Sequence, residues 1–587
     1  MAQLKNKKIM LYLHYDIHNI IDEYVIYQLK AYYELGIEII FISNSNLSSD
    51  ELHKVTEITR ERFLHHNRGY DFTAWKDVIL DKGLNFFENY DDLIIANSSC
   101  YGPIFPFEEM FNEMDNRNPD FWGVAERSEY SGFRSYLISF FISFSKKVFS
   151  SQIFWTFWRS IKDQYPSYWS VIRHGELRLT ATLAKKFKYD CYARLADLRP
   201  CEKLGHIEAF NTSNGGYFCE KGHSPLLKIK AFYNQRENLY SHSAEIFDML
   251  KRIDSTYPID LIINHQKRTS PLSWLRNFPD MLHIVKEENL KNSNQNLEIF
   301  LVLDDEKLLD FYCQTYRNCS AKAAIAPELL KKFDNLGIDN WELKVIPSEL
   351  KDASWGILIK ELFAELLIDH KVILVNNFRY DNNECDFFNC RLLDYTSKSM
   401  LKNHNFMLNC AEILNSKDNL GLLISPMMPE LLFCDYDFAH SKNDVNFLKN
   451  FYNQVPYPIE HGIPTALINC CYIKSNALNK LIEAEYFEHH GNKNIDNLIA
   501  YALQKMAIAT EFVTSESSLA ENICKYPDRL TSYCKFGVRK HLSATIELTG
   551  KAIVKLYHKI FPAAFTQKLM YFEEPIKAFL KKLLKRD

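Results

Sequence analysis

The first hundred residues alternate short apolar runs with stretches in which apolar residues recur at helical spacing. The helical spacing predicts helices over residues 22–35 and 73–80. The apolar runs predict buried strands over residues 9–14, 37–43, 63–64 and 93–96. Alternation of this kind predicts an α/β fold with a mainly parallel sheet and helices on both of its faces.

Each predicted strand ends in polar residues, and ligands of parallel sheets bind beyond the carboxyl ends of the strands. The turn at residues 67–76, N-R-G-Y-D-F-T-A-W-K, lies between a strand and a helix, where α/β enzymes hold nucleotides. Gly69 is expected to supply its sharp bend, and Asp71 a fixed acceptor. The strand ends and this turn contribute these candidate binding residues: His14, Tyr15, Asp16, Ser43, Asn44, Asn67, Arg68, Gly69, Asp71, Asn97, Ser98 and Ser99.

The hydrophobic pattern restarts after a polar segment at residues 286–295, which is the candidate domain boundary. The second half predicts strands at 371–375, 420–425 and 466–473, then a helix around Asp496. The first half has strands at 93–96, 121–125 and 136–144, then a helix around Glu176. The matching order predicts two degenerate copies of one module. We therefore predict domains over residues 1–285 and 296–520 and a helical segment over residues 521–587.

Composition and charge narrow the class of protein. A chain of 587 residues, 47% of them hydrophobic, is globular and too long for one core. Its formal net charge of −4 gives no nucleic-acid signature. The 14 cysteines include no C-x-x-C pair, and no signal-peptide core is recognised, so we expect a reducing, cytosolic compartment. The stretch at 134–149 is interrupted by charged residues and serines, so no membrane span is predicted.

Several motifs resemble the rhamnan synthesis protein F family of bacterial polysaccharide glycosyltransferases. Besides the turn at 67–76, they are A-N-S-S-C-Y-G-P-I at 96–104, D-F-W-G-V at 120–124, R-S-Y-L-I-S-F at 134–140, L-G-L-L-I-S-P at 420–426 and, more loosely, residues 465–496. Two positions depart from the family pattern. The chain has Asn97-Ser98-Ser99 where relatives have N-D-S or N-D-T, and Asn376-Asn377-Phe378 where they have H-D-K.

The resemblance implies two modules of the glycosyltransferase-A type, of which the first binds a nucleotide sugar, commonly dTDP-L-rhamnose. It also implies a lipid-linked acceptor for cell-surface polysaccharide, and a cytoplasmic enzyme at the inner face of the bacterial plasma membrane. The other reading is a non-catalytic glycan-binding or scaffold component of a polysaccharide assembly complex. No nucleic acid is expected as a partner.

Three positions in the first module carry the expected chemistry, each beside a structural alternative. Asp71 suits hydrogen bonding to a base or ribose, or it caps the following helix. Asn97-Ser98-Ser99 contacts nucleotide or sugar, or forms a tight turn. Because Asn and Ser are weak ligands for Mg²⁺ and Mn²⁺, the metal is unknown, and either ion stays open. Glu176 has the place of the general base that makes the transfer inverting, or it only favours a helix N-terminus.

The remaining segments carry weaker signals. The aromatic run at 154–158 is expected in the core more than on a sugar. In the second module, Asn376 and Asp496 mark either a second transferase site or a decayed copy that binds acceptor or supports the first module. Apolar stripes at 542–560 and 576–584, the latter flanked by lysines, predict a basic amphipathic segment on an anionic membrane surface. The alternative is a helix packed on the second module.

Overall fold

The computed structural model describes residues 4–67, 69–127, 135–165, 167–193, 215–232, 242–270, 281–288, 296–368, 370–378, 386–425, 470–488, 499–506 and 508–518. Met1–Pro426 and Asp437–Ser515 form one compact unit. The other unit, Met427–Tyr436 with Glu516–Asp587, is described only at residues 516–518. The predicted membrane-associating segment at 521–587 therefore lies outside the described residues, and so does Asp496.

The first half of the chain builds a mainly parallel sheet in the order β3-β2-β1-β4-β8-β6, with β9 parallel and β7 antiparallel to β6. Its strands are β1 (Lys8–His14), β2 (Glu38–Ser43), β3 (Glu61–Leu64), β4 (Asp92–Asn97), β6 (Phe121–Arg127), β7 (Tyr136–Leu137), β8 (Phe141–Ser145) and β9 (Tyr189–Ala193). Two further strands, β5 (Cys100–Tyr101) and β10 (Leu227–Lys228), pair only with each other.

Helices cover both faces of this sheet. They are α1 (Glu23–Glu34), α2 (Ser49–His53), α3 (Tyr70–Phe87), α4 (Phe107–Arg117), α5 (Lys146–Phe149), α6 (Gln152–Arg159), α7 (Tyr168–Val171), α8 (Leu177–Leu183), α9 (Gly215–Lys221), α10 (His242–Arg252) and α11 (Ile259–Thr269). A π-helical turn, Ile172–Glu176, joins α7 to α8, and a 3-10 turn spans Ile229–Phe232.

The core follows from the period of two along buried strands. On β1, Ile9 and Leu11 belong to the apolar cluster that includes α3 and α6, whereas Met10 and Tyr12 belong to the cluster on the opposite face. The aromatic run at 154–158 lies in α6, where Phe154 and Trp158 are fully buried in the first cluster. The expectation that this run is mainly core is confirmed.

The second half builds an eight-stranded sheet in the order β14-β13-β12-β15-β17-β16-β18-β11. Its strands are β11 (Leu282–Val285), β12 (Leu297–Leu303), β13 (Ala321–Ile325), β14 (Trp341–Val345), β15 (Val372–Asn376), β16 (Leu420–Ile424), β17 (Cys470–Lys474) and β18 (Ala509–Ser515). Its helices are α12 (Glu306–Tyr316), α13 (Leu330–Asp334), α14 (Trp355–Leu362), α15 (Asp386–Met400), α16 (His404–Asn415), α17 (Ser475–Glu483) and α18 (Ile499–Lys505), with 3-10 turns at Pro327–Leu329, Ser348–Leu350 and Ala364–Leu367.

The two sheets share one topology. Strands β12 to β18 of the second sheet correspond, in chain order, to β1, β2, β3, β4, β6, β8 and β9 of the first. With this correspondence the two sheets have the same strand order. The antiparallel strands β8 and β17 occupy equivalent places. The predicted order of strands in the two halves is confirmed, as is the α/β class with mainly parallel sheets. The predicted limit between the domains at 286–295 stays a prediction, and β11 ahead of it belongs to the second sheet.

One predicted strand is wrong in its extent. Residues 136–144 form two strands, β7 and β8, and Ile138 to Phe140 between them belong to neither. The break has a physical cause, since the Ser139 backbone N–H donates to the Glu176 carboxylate instead of to a strand. Within the described part of the chain, no helix combines the length and apolar character that crossing a membrane requires.

Candidate active site

The turn before α3 bends at Tyr70, not at Gly69 as expected. Tyr70 has the left-handed φ of 54° and opens the helix. Gly69 is needed for a different reason, because a Cβ at this position would lie 1.9 Å from Thr73 Oγ1. Thr73 Oγ1 donates to the Gly69 carbonyl at 3.2 Å, which closes the turn onto the helix. Arg68 lies outside the described residues.

Asp71 is the second residue of α3, and its side chain is aimed at the end of β4. Asn97 Nδ2 donates to Asp71 Oδ2 at 2.7 Å. The N-cap residue of α3 is Gly69, which has no side chain to cap the helix. Asp71 is therefore not the N-cap of α3. Its carboxylate lies beside the strand end where a ligand would bind. Its role in binding stays a prediction.

The Asn97-Ser98-Ser99 segment bends between β4 and β5, and its side chains belong to the cluster. Asn97 Oδ1 accepts hydrogen bonds from the Ser99 backbone N–H, at 3.2 Å, and from Ser99 Oγ. The next two residues, β5, pair with β10, and this register brings Lys228 opposite Cys100. Lys228 Nζ donates to Ser99 Oγ at 2.7 Å. A lysine from 129 residues further along the chain thus reaches the end of β4.

Glu176 closes the site from the other side. It is the last residue of the π-helical turn between α7 and α8, so it does not begin a helix as the dipole reading required. Single π turns inside helices are frequent at functional sites. The Ser139 N–H and Oγ donate to Glu176 Oε1 at 2.7 and 3.1 Å. The carboxylate is therefore fixed at the break between β7 and β8.

Gly175 couples the Glu176 turn to the Asp71 turn. A Cβ on Gly175 would lie 2.6 Å from Cγ of Phe72, so the ring next to Asp71 packs directly on the backbone next to Glu176. Glycine is the residue that permits this approach. This contact packs the start of α3, which carries Asp71, against the π turn that carries Glu176.

Burial and opposite charges set the electrostatics of this cluster. Burial raises the pKa of Asp71, and the Asn97 hydrogen bond and the charges of Lys228 and Lys230 oppose the rise. Burial also raises the pKa of Glu176, against Ser139 and Lys228, while the Asp71 charge adds to the rise. Burial lowers the pKa of Lys230, and neighbouring Lys228 lowers it further. The two carboxylates and the two lysines therefore interact electrostatically at the carboxyl edge of the sheet.

The other predicted residues divide into an exposed rim and a buried base. Tyr15 and Asn67 are exposed, and Asn44 Nδ2 contacts Asn67 Oδ1 at 3.5 Å. Ser98 Oγ accepts from the Tyr15 N–H at 3.3 Å. Tyr70, which the sequence did not single out, is also exposed on this side. Burial raises the pKa of Tyr15, and Asp16 and Tyr70 add to the rise. Exposed tyrosines at a strand end can stack on a base.

His14, Ser43 and Asp16 are buried instead. His14 Nδ1 lies 2.9 Å from Ser43 Oγ, and burial lowers the pKa of this histidine to about 4. Asp16 is held by Arg268 through two hydrogen bonds of 2.6 and 3.0 Å. Burial disfavours its charge, but Arg268 outweighs burial and lowers the pKa of Asp16. The structure therefore does not bring the Asp16 carboxylate to the Asp71 cluster as a ligand group.

The equivalent strand end of the second sheet is filled by its own side chains. The Asn376 side chain is buried, and its Nδ2 donates to Tyr316 Oη at 3.0 Å. The Phe378 N–H donates to Tyr312 Oη at 2.9 Å, and both tyrosines come from α12. This strand end therefore differs from that of β4, where charged groups converge. The two interpretations of the second module, a second transferase site or a decayed copy, both stay predictions.

Residues 39–320 match the family model described as rhamnan synthesis protein F. This part, just under half of the chain, is therefore similar to the rhamnan synthesis protein F family. The match spans the Asp71, Asn97, Glu176 and Lys228 cluster and stops before most of the second sheet. No curated protein sequence matches the chain significantly.

Three solved structures illustrate the weak structural similarity of this chain to known proteins. Core-mannan synthase A of Aspergillus fumigatus, in an Mn/GDP form, has 8% identity and a TM-score of 0.19 over 27% of this chain and 65% of its own. The mannosyltransferase Ktr4p of S. cerevisiae has 10% identity and a TM-score of 0.20, over 30% of this chain and 66% of its own. The glycosyltransferase GlyE of Streptococcus pneumoniae has 10% identity and a TM-score of 0.24, over 64% of this chain and 87% of its own. The chain thus spans just under two thirds of the first two, and such scores support no argument about its site.

Proposed function

We propose that this protein is a glycosyltransferase that uses a nucleoside diphosphate sugar bound at the carboxyl edge of the first sheet. The observation that carries the proposal is the convergence of Asp71, Glu176 and Lys228 on the end of β4. These residues come from a helix, a π turn and a short strand that are distant in sequence. The similarity of residues 39–320 to the rhamnan synthesis protein F family is the second support.

The proposed donor lies across the N-terminus of α3. Tyr15 and Tyr70 flank the base, and Asn67 and Asp71 hydrogen-bond the base or the ribose. The N-terminus of α3 directs the positive end of its helix dipole toward the phosphates. His14 and Ser43 support this edge from beneath, because both are buried.

Glu176 is proposed to act as the general base. The acceptor hydroxyl oxygen attacks the anomeric carbon, and the bond from this carbon to the diphosphate oxygen breaks. The nucleoside diphosphate leaves with the bonding electron pair, and Glu176 takes the hydroxyl proton. Ser139 holds Oε1, so we assign the proton to Oε2. One displacement of this kind inverts the anomeric configuration.

We propose that the transferred sugar is L-rhamnose from dTDP-L-rhamnose and that the acceptor is a growing cell-surface polysaccharide. The description of the matching family, rhamnan synthesis protein F, supports the sugar. We propose that the acceptor is lipid-linked and that the protein works at the inner face of the plasma membrane, held there by the basic segment at 521–587. The second module is proposed to support the first without binding donor, because aromatic residues of α12 fill its strand end.

Turnover of purified full-length protein tests the assignment. Release of nucleoside diphosphate from dTDP-L-rhamnose is measured with saturating donor and acceptor glycan. Glu176→Gln should lower kcat by roughly 10²- to 10⁴-fold, the usual contribution of a general base. The control Glu109→Gln removes an exposed carboxylate of the same module and should leave kcat unchanged.

Near wild-type turnover by Glu176→Gln would refute the base assignment. Glycan binding without any release of nucleoside diphosphate would favour the non-catalytic scaffold reading. Titration calorimetry with dTDP should give one site per chain, and two sites would contradict the proposed role of the second module.

A further inference from the structure

We propose that Lys228 takes the place of a divalent cation, so that its ammonium group binds the donor diphosphate. This inference rests on the proposed function, because it deepens the description of the same site. Its basis is that Lys228 Nζ already lies 2.7 Å from Ser99 Oγ, at the end of β4. This strand end is where an acidic motif would hold the metal in a glycosyltransferase of the A type.

The residues at this strand end do not fit Mg²⁺ or Mn²⁺. Hard divalent cations take carboxylate and other oxygen ligands, and here the three positions are an amide and two hydroxyls. Both polar atoms of the Asn97 amide are engaged, one with Asp71 and the other with Ser99. The Ser99 hydroxyl accepts from an ammonium group, which a metal ion at that oxygen would repel.

The remaining described residues agree with this reading. Among them, no group of three or more His, Cys, Asp or Glu side chains is placed to hold a metal ion. Asp71 and Glu176 are the two acids of this cluster. Each already accepts a hydrogen bond from a neutral donor, Asp71 from Asn97 and Glu176 from Ser139. The positive charge that a diphosphate needs is therefore supplied by side chains of the protein.

The fold holds Lys228 firmly enough for this role. The residue lies in β10, paired with Cys100, and the next residue donates its N–H to the Ser99 carbonyl at 3.0 Å. Its ammonium group lies 5.0 Å from the centre of the Phe140 ring, and the side chain is largely buried. An ammonium group has three donors, and the one seen here goes to a neutral hydroxyl. Donor capacity toward a ligand is therefore retained.

The charges of the cluster also suit the reaction. Lys228 and Lys230 balance Asp71 and Glu176 in the free protein. When Glu176 takes the acceptor proton, the cluster gains one net positive charge as the leaving diphosphate gains the electron pair. A lysine that is fixed before the reaction starts stabilises this charge without reorganisation.

Binding of inorganic diphosphate to the full-length chain tests the inference without any sugar transfer. Titration calorimetry in the presence of EDTA should detect binding by the wild-type protein. Lys228→Ala should weaken it about 10- to 100-fold, the value of a charged hydrogen bond of about 1.5–3 kcal/mol. The control Lys221→Ala removes an exposed lysine that pairs with Glu220 and should bind as the wild type does.

Two further variants keep the test decisive. Lys228→Arg should retain most of the affinity, and Ser99→Ala, which removes only the hydroxyl that positions the ammonium group, should weaken binding even if Lys228→Ala fails to fold. Diphosphate binding that disappears in EDTA and returns with Mn²⁺ would overturn the inference, as would no binding under either condition or wild-type affinity in Lys228→Ala. Diphosphate binding through Lys228 without any sugar transfer would refute the proposed function and leave the anion site standing.

Discussion

Glu511 is a fully buried carboxylate on β18 that joins helix α11 to the second sheet. Lys267 of α11 and His283 of β11 contact it, and Lys417 Nζ lies 2.8 Å from its Oε2. The neighbouring residue on α11, Arg268, holds Asp16 at the end of β1. Replacing Glu511 with Gln should therefore destabilise the protein at the helix that also braces the first sheet.

The expected loss can be worked out from the pKa of Glu511. Burial alone would raise this pKa, but His283 and Lys267 outweigh burial and lower it from 4.5 to about 2. Since one pKa unit corresponds to about 1.4 kcal/mol, the ionised group stabilises the folded state by about 3 kcal/mol. Breaking a buried ion pair costs roughly 3–5 kcal/mol, which is the same size.

The pH dependence has a definite sign. A carboxylate whose pKa is lower in the folded state stabilises it above the unfolded pKa, and this stabilisation is lost as the pH falls through the folded pKa. The contribution of Glu511 should therefore be complete at pH 7, fall to about half near pH 3 and vanish below pH 2. Urea unfolding followed by tryptophan fluorescence at pH 7 and pH 3 measures it.

Glu412→Gln is the matched control for Glu511→Gln. Glu412 lines a cleft together with Lys267, His283 and Lys417, the partners of Glu511. It is exposed, and its replacement should change the free energy of unfolding by no more than about 0.5 kcal/mol. A loss below about 1 kcal/mol for Glu511→Gln at pH 7, or a loss that grows toward pH 3, would refute the reasoning.

Three further predictions concern the first module. Gly175→Ala places a methyl group against Phe72, so it should lower the free energy of unfolding by roughly 1–3 kcal/mol and also lower turnover. Thermal melting and turnover assays measure both, and a fully stable, active variant would contradict the packing. Because burial raises the pKa of Glu176, the acid limb of kcat/KM should lie above pH 4.5, and a rate unchanged down to that pH would exclude the base. Arg268→Met removes the partner of Asp16 and Asp22 and should lower the free energy of unfolding in urea by roughly 3–5 kcal/mol. Arg268→Lys should recover part of this loss, and unchanged stability would show that the ion pairs contribute nothing.

Much of the fold could be predicted from local patterns. The strands of both sheets are apolar runs bounded by polar residues, so their order in the chain and the repeat of one module could be recognised from the sequence alone. The turn at Asn67 could be recognised for the same reason. Its bend was assigned to Gly69, because the sequence carries no sign that a tyrosine would adopt the left-handed conformation.

The cluster around the turn could not be predicted completely, since it depends on register between distant segments. Lys228 reaches Ser99 through a pairing of two-residue strands, and Arg268 reaches Asp16 across 252 positions. The alternation L-K-I-K at residues 227–230 was a signal for a strand, but only Leu227 and Lys228 form one, and Lys230 lies in the 3-10 turn that follows. Nothing in the local sequence indicates which strand end those lysines approach.

The most direct test of the donor site is the melting temperature of the full-length protein with a panel of nucleotide sugars, including dTDP-L-rhamnose, UDP-glucose and GDP-mannose. A ligand at 100 times its Kd stabilises the folded state by about 2.7 kcal/mol. One of these donors should raise the melting temperature of the wild type and of Asp77→Ala, an exposed position on α3, but not of Asp71→Ala. An equal rise in Asp71→Ala, or no rise with any donor, would contradict a nucleotide-sugar site at the Asn67 turn.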